Sequence, residues 1–182
     1  MDKITFILLC LCNIAAVNAH GYMCNPAARN ALVQCGFPGA PKNDNWMANN
    51  AGGPSVVYPC PKKFSPCGDP MGGPWDSMPG GKYDIGVPSQ NYSSGESIVV
   101  DVILTANHKG VFEFVLWDHD MTKELAFLGA YQISESINTY KVPLMLPKVS
   151  CEMCNLQWHW VTGNSPGADP EEFWNCAWIS IN

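Results

Sequence analysis

Apolar and polar residues alternate strictly over the second half of the chain. In "SIVVDVILTA" the residues Ile98, Val100, Val102 and Leu104 fall on one face, and in "VFEFVLWD" Phe112, Phe114 and Leu116 do the same. A period of two marks a strand with one face in a core. "GAYQIS", "TYKVPLML", "NLQWHWVTG" and "FWNCAWISI" continue the series, separated by turn residues. Repeated short strands without a long helical period predict an all-β fold, an antiparallel sandwich of the immunoglobulin or fibronectin kind. From His20 to about Ser94 the pattern is lost, and "GFPGAPKNDN", "NNAGGP" and "PMGGPWDSMPGG" are rich in Gly, Pro and Asn. That half is expected to form long loops with at most short helices, as in "PAARNALVQ".

The N-terminus has a different organisation. Lys3 precedes the apolar run Ile4 to Cys12 and then the small-x-small tripeptide Val17-Asn18-Ala19, the three regions of a secretory signal peptide. The apolar run is shorter than the roughly 20 residues that span a bilayer. Residues 1–19 are therefore expected to be cleaved and the protein secreted, with His20 as the first mature residue and 20–182 a single domain. The formal charge of −6 is unchanged by cleavage, since Asp2 and Lys3 leave together. An acidic chain without basic clusters predicts no nucleic acid or membrane partner.

Nine cysteines become seven once Cys10 and Cys12 depart. In an oxidising compartment they read as disulfides with one left over. Cys151-x-x-Cys154 also fits half a zinc site, but no second pair sits at zinc-finger spacing.

"TANHKG" joins the two best strands and is expected to be a hairpin with His108 at its tip. An N-terminal histidine offers two nitrogens, its α-amine and its ring, and a second imidazole completes three. Such a T-shaped set with open positions suits copper, which heads the divalent affinity order and favours tetragonal nitrogen sites. His119, in the charged "WDHDMTKE", reads as a solvated turn residue, and His159 as a strand-face residue. Gln157 and Trp158 lie on a strand beside the expected site, where Gln157 is placed to orient bound oxygen.

These residues carry a resemblance. "HGYM" followed by "NPAAR", "PKNDN", "CGDP", "GGKYDIG", "DVILTANHKGVFEF", "CEMCNLQWHWVTGNS" and "EEFWNCAWISI" span nearly the whole mature chain. Together they resemble the lytic polysaccharide monooxygenases, most closely auxiliary activity family 15. The resemblance implies an enzyme with one copper ion that oxidatively cleaves glycosidic bonds on crystalline polysaccharide, chitin or cellulose, using an external reductant with dioxygen or hydrogen peroxide. It implies that His20 and His108 form a histidine brace, that Ala106 crowds one axial face, and that Phe173 occupies the other without ligating. The chain departs from the family pattern at Asn50-Ala51-Gly52-Gly53, at Phe64-Ser65-Pro66-Cys67-Gly68-Asp69, and at Trp178, where an Asp is usual. No departure touches a copper ligand.

A crystalline substrate needs a flat binding face, and Tyr22, Trp46 and Trp75 are the aromatics expected to stack on sugar rings there. Asn91-Tyr92-Ser93 is an N-glycosylation sequon. The protein is expected to be a monomer. Two other readings stand beside the enzyme: a non-catalytic carbohydrate-binding or copper-carrying sandwich, and an immunoglobulin-like adhesion domain. A binding module has no use for a histidine at residue one, and an adhesion domain does not explain "TANHKG".

Overall fold

A computed structural model describes residues 19–58, 63–134, 137–163 and 169–182. Eight strands form it: β1 (His20–Asn25), β2 (Gln90–Tyr92), β3 (Ser97–Ala106), β4 (Gly110–Trp117), β5 (Glu124–Ile133), β6 (Thr139–Met145), β7 (Cys151–Val161) and β8 (Glu172–Ile181). They make two sheets, ordered β1-β3-β6 and β2-β8-β7-β4-β5. Neighbours are antiparallel except β2, which runs parallel to the last residues of β8. The expected immunoglobulin-like sandwich is thus present, and between β1 and β2 the described residues of the loop-rich half form a 3₁₀ turn at Arg29–Ala31 and one helical turn, α1 (Pro54–Val57).

The alternation works as the pattern requires. Ile98, Val100, Val102 and Leu104 of β3 face Phe112, Phe114 and Leu116 of β4 across the core, all nearly inaccessible. Phe112 meets Trp158 edge-on at 5.3 Å and 78°, and Trp160 at 6.1 Å and 85°. Edge-to-face rings add to the roughly 1.5–3 kcal/mol that each large buried side chain contributes by leaving water.

One expectation fails. β3 and β4 belong to different sheets and do not pair, so "TANHKG" is a crossover between layers, not a hairpin. His108 accordingly sits between the layers at 4% exposure, not at an exposed tip. The sequence shows two adjacent strands but not which partners each prefers, and here β3 pairs with β1 and β6 while β4 pairs with β5 and β7.

β8 is buried along its whole length because the loops cover its second face. Cys176 on that face forms a disulfide with Cys67, closing a span of 109 residues, and two short-range bridges join Cys24 to Cys35 and Cys151 to Cys154. A loop of that length is worth about 4–5 kcal/mol in the chain-entropy model. Cys60, a candidate for the odd thiol, lies outside the described residues.

Arg29, 2% exposed, completes the attachment. Its Nε donates to Ser77 O at 2.6 Å, one terminal nitrogen to Asn155 Oδ1 at 2.8 Å, and the other to Cys67 Sγ at 3.3 Å, while the guanidinium lies 4.5 Å from the Trp178 ring centre. Burial lowers its pKa to about 10 even though Asp84 and Asp69 pull it upward. Arg29→Met should cost on the order of 3–5 kcal/mol, since it strands buried acceptors and removes a buried cation from its partners. Urea denaturation showing a loss below about 1 kcal/mol would refute that role.

Candidate functional site

The site residues gather where the β3–β4 crossover meets the start of β1 and β8. His20 opens β1, in register with Ala106 at the end of β3, with a register shift between His20 and Gly21. Gly21 allows that pairing, because a Cβ there would come within 2.5 Å of Leu104 Cδ2 and 3.2 Å of Ile103 O. On the other side of β1, Gly21 N–H donates to Met47 O at 3.0 Å, which brings the loop bearing Trp46 alongside His20.

The crossover is held rigidly. Asn107 Nδ2 donates to Ser134 O, Ile137 O and Tyr140 Oη, and Asn107 Oδ1 accepts from Lys109 N–H at 2.8 Å. His108 O accepts from Gly163 N–H at 2.9 Å, and Lys109 O from Trp160 Nε1 at 2.7 Å. These bonds fix the backbone that carries His108.

The residue that links the two histidine positions is Glu171, just before β8. Its Oε2 accepts from Ala19 N–H at 2.8 Å and lies 3.6 Å from His108 Nδ1. Ala19, 1% exposed, fills the buried position next to His20. Thr162 N–H donates to Glu171 O, while Thr162 Oγ1 is buried without a partner among the described residues. Two residues after Glu171, Phe173 is fully buried, in register with Trp160 and 5.2 Å from its ring.

His20, Ala106, His108 and Phe173 therefore meet at one end of the sandwich. Trp46 lies beside them, half-buried, its indole N–H buried without a partner among the described residues. Tyr22 is two residues along β1, half-buried, its hydroxyl pKa raised by burial. Trp75 sits on a separate loop with Lys63 Nζ 5.6 Å from its ring centre. Gln157 faces away from Trp158 and Trp160: its Oε1 accepts from Trp117 Nε1 at 2.9 Å and its Nε2 donates to Pro66 O at 2.6 Å. Both ends of that amide fasten the covering loop to the sheet. Among the described residues no set of three or more His, Cys, Asp or Glu converges on a point that could hold a metal.

Glu171 had no distinguishing signal in the sequence, since it precedes β8 and its value lies in what β1 and the crossover bring to it. The same is true of a second cluster on the outer face. His159 Nδ1 is 3.1 Å from Glu113 Oε2 and Nε2 is 2.5 Å from Glu172 Oε2, and the ring stacks on Trp174 at 4.7 Å and 5°. The Tyr58 hydroxyl donates to Glu172 Oε1. His159 is thus a strand-face residue as expected, and His119 is exposed with its ring 4.8 Å from Trp178.

Residues 20–179 match the family model described as lytic polysaccharide mono-oxygenase, cellulose-degrading. Among solved structures the chain is similar to an AA15 lytic polysaccharide monooxygenase from Thermobia domestica in the Cu(I) state, at 30% identity over 89% of this chain and 98% of that one, with a TM-score of 0.76. An AA10 enzyme from Photorhabdus luminescens shares the fold, at 17% identity over 90% and 99% of the two chains and a TM-score of 0.50. No curated protein matches at a significant level.

The outer cluster generates a pH prediction. Burial pushes the Glu172 carboxyl up, but hydrogen bonds from His159 and Tyr58, and the field of His159, outweigh it and hold the group below its ordinary value of 4.5. A depressed carboxyl stabilises the fold above its ordinary pKa, and that contribution is lost as pH falls through the folded value. Glu172→Gln should therefore flatten the fall in melting temperature between about pH 5 and pH 3. Parallel melting curves for the two proteins over that range would contradict the assignment.

Proposed function

The chain belongs to the lytic polysaccharide monooxygenases, copper-dependent enzymes that oxidise polysaccharides, and from that premise we propose that it cleaves crystalline chitin or cellulose at one copper ion held by His20 and His108. The observation that carries this reading is the register of β1 on β3: His20 stands opposite Ala106, two residues before the buried His108 in the crossover. The donors fit copper. His20 opens β1 half-buried and His108 is buried in the adjoining crossover, and a chain beginning at His20 would add its α-amine where Ala19 is now bonded, giving the nitrogen-rich set that copper favours. Removal of Ala19 also vacates its buried position beside that amine.

Bound copper supplies one-electron chemistry with dioxygen or hydrogen peroxide, drawing electrons from an external reductant. The chain's own residues shape the space around it. Ala106, opposite His20 in the ladder, presents only a methyl group. Phe173 offers an apolar ring that cannot ligate, backed by Trp160. Glu171 keeps an acceptor beside the donors, oriented to hold a proton-bearing nitrogen. Tyr22, Trp46 and Trp75 supply aromatic surface for stacking against sugar rings. Gln157 acts indirectly, by fixing the loop at Pro66 and the Trp117 side chain against the sheet.

Residues 1–19 form a cleaved signal peptide in this reading, and the mature protein is a secreted monomer. Among the described residues no helix is long and apolar enough to cross a membrane. Asn91 is exposed on β2, which pairs with the far end of β8 from Glu171, so a glycan there points away from the substrate face.

Two outcomes follow. Copper and a reductant together should release oxidised oligosaccharides from chitin or cellulose, read by mass spectrometry; products that persist after chelation would refute a copper mechanism. A chain retaining Ala19 should fold as the mature one does yet bind copper more than about 100-fold more weakly, because its residue-20 nitrogen is an amide; loss of a ligand exceeds the 10–100-fold typical of outer hydrogen-bond partners. Equal calorimetric affinities would remove the N-terminal nitrogen from the donor set.

A further inference from the structure

A cavity of about 330 Å³ opens between residues 43–52 and 68–83, lined by Asn45, Asn49, Asn50, Asp69, Asp76 and Tyr83 among others. Its volume lies at the small end of the roughly 300–1,000 Å³ of ligand pockets, and its walls mix polar side chains with Ala, Gly and Pro where such pockets are predominantly apolar. It adjoins the candidate copper site along the chain, since Met47 O is bonded to Gly21 N–H and the wall residues Asn45 and Ala48 flank Met47.

Several of the wall's polar groups have no partner among the described residues. Among the described residues the Asp76 carboxylate, the Asn45 amide and the Tyr83 hydroxyl make no hydrogen bond or ion pair, and Asn50 uses only its oxygen, which accepts from Gly52 N–H. Asn49 by contrast is anchored, its Nδ2 donating to Cys67 O and Ser77 Oγ, so the wall behind it is stiff. An amide both donates and accepts, a carboxylate accepts, and a phenol does both. That mixture matches the vicinal hydroxyls of a sugar, and Ala48, Pro70 and Pro74 in the same wall supply apolar surface for its ring carbons.

A divalent cation fits less well. Calcium takes about six to eight oxygens, several of them carboxylate. Asp69 Oδ1 already accepts from Ser77 N–H at 2.9 Å and Oδ2 from Ser65 Oγ at 2.6 Å, which leaves Asp76 as the one free carboxylate among the described lining residues.

We propose that this cavity binds a single neutral sugar ring beside the polysaccharide face, with Asp76, Asn45 and Tyr83 gripping its hydroxyls. The inference rests on the polysaccharide reading of the copper site but concerns a separate set of residues. It gives a flat-faced enzyme one directional hold, at a chain end or at a ring that projects from the surface.

Calorimetry tests it on the copper-loaded mature chain without reductant, titrated with soluble cellohexaose and chitohexaose. One of the two should bind, and Asp76→Ala and Asn45→Ala should each weaken it at least fivefold while melting temperature and copper affinity stay unchanged. Both positions are at least partly exposed, so the variants keep the fold. Retention on the insoluble polysaccharide, measured in parallel, separates the two sources of the ring: a loss there as well assigns a ring on the surface, and a loss with soluble sugar alone assigns free chain ends. Absence of binding by wild type, equal binding by the variants, or calcium binding abolished by Asp76→Ala would overturn the proposal. Failure to release oxidised products from any polysaccharide would instead overturn the copper reading, and it is measured independently of the sugar titration.

Discussion

The buried guanidinium of Arg29 is the constraint on which the rest of the molecule turns. About half of the mature chain has little regular secondary structure and no hydrophobic face of its own, yet it must lie flat on the outer side of β8. Arg29 reaches through that layer to Ser77 O, Asn155 Oδ1 and Cys67 Sγ and lies over Trp178. It therefore joins two loops to two strands at one point. A guanidinium suits the task because its donors are planar and diverge, so one side chain satisfies several acceptors at once. Asp84 supports the same point from the side, accepting from Trp178 Nε1 and from the backbone N–H groups of Gly80 and Gly86. Burial raises its carboxyl pKa, but these bonds and the Arg29 charge leave it below its usual range.

With the loops pinned, the end of the sandwich becomes a place where distant segments meet. β1 is an edge strand, bonded to β3 on one side and to the Met47 loop on the other. The crossover from β3 to β4 passes from one sheet to the other at that corner, and β7 and β8 close it from behind through Gly163, Trp160 and Glu171. Five segments thus meet around His20 and His108. The crossover backbone is preorganised, its hydrogen bonds being made within the fold itself. The aromatic floor of Phe173 and Trp160 is continuous with the core, which ties the site's geometry to the packing of the sandwich.

The sequence by itself determined the fold class and offered two histidines as candidates for the chemistry. Period-two alternation is a local property, so β3 and β4 were legible to within a residue or two, and the two histidines stood out as candidates because their residue types and positions, one after a cleavage pattern and one between strands, are local facts. β1 was not, because "HGYMCN" has no strong alternation and becomes a strand only through pairing with β3. The tertiary structure alone decided which sheet each strand joins, and so turned the expected hairpin into a crossover and moved His108 from a solvent-exposed tip into a buried corner. It also decided that Gln157 braces a loop on the outer face, that Arg29 is buried, and that Glu171 stands between Ala19 and His108. Each of these depends on contacts between residues tens of positions or more apart, whose pairing is settled by the free energy of the whole packed core and leaves no mark on the local order of residues.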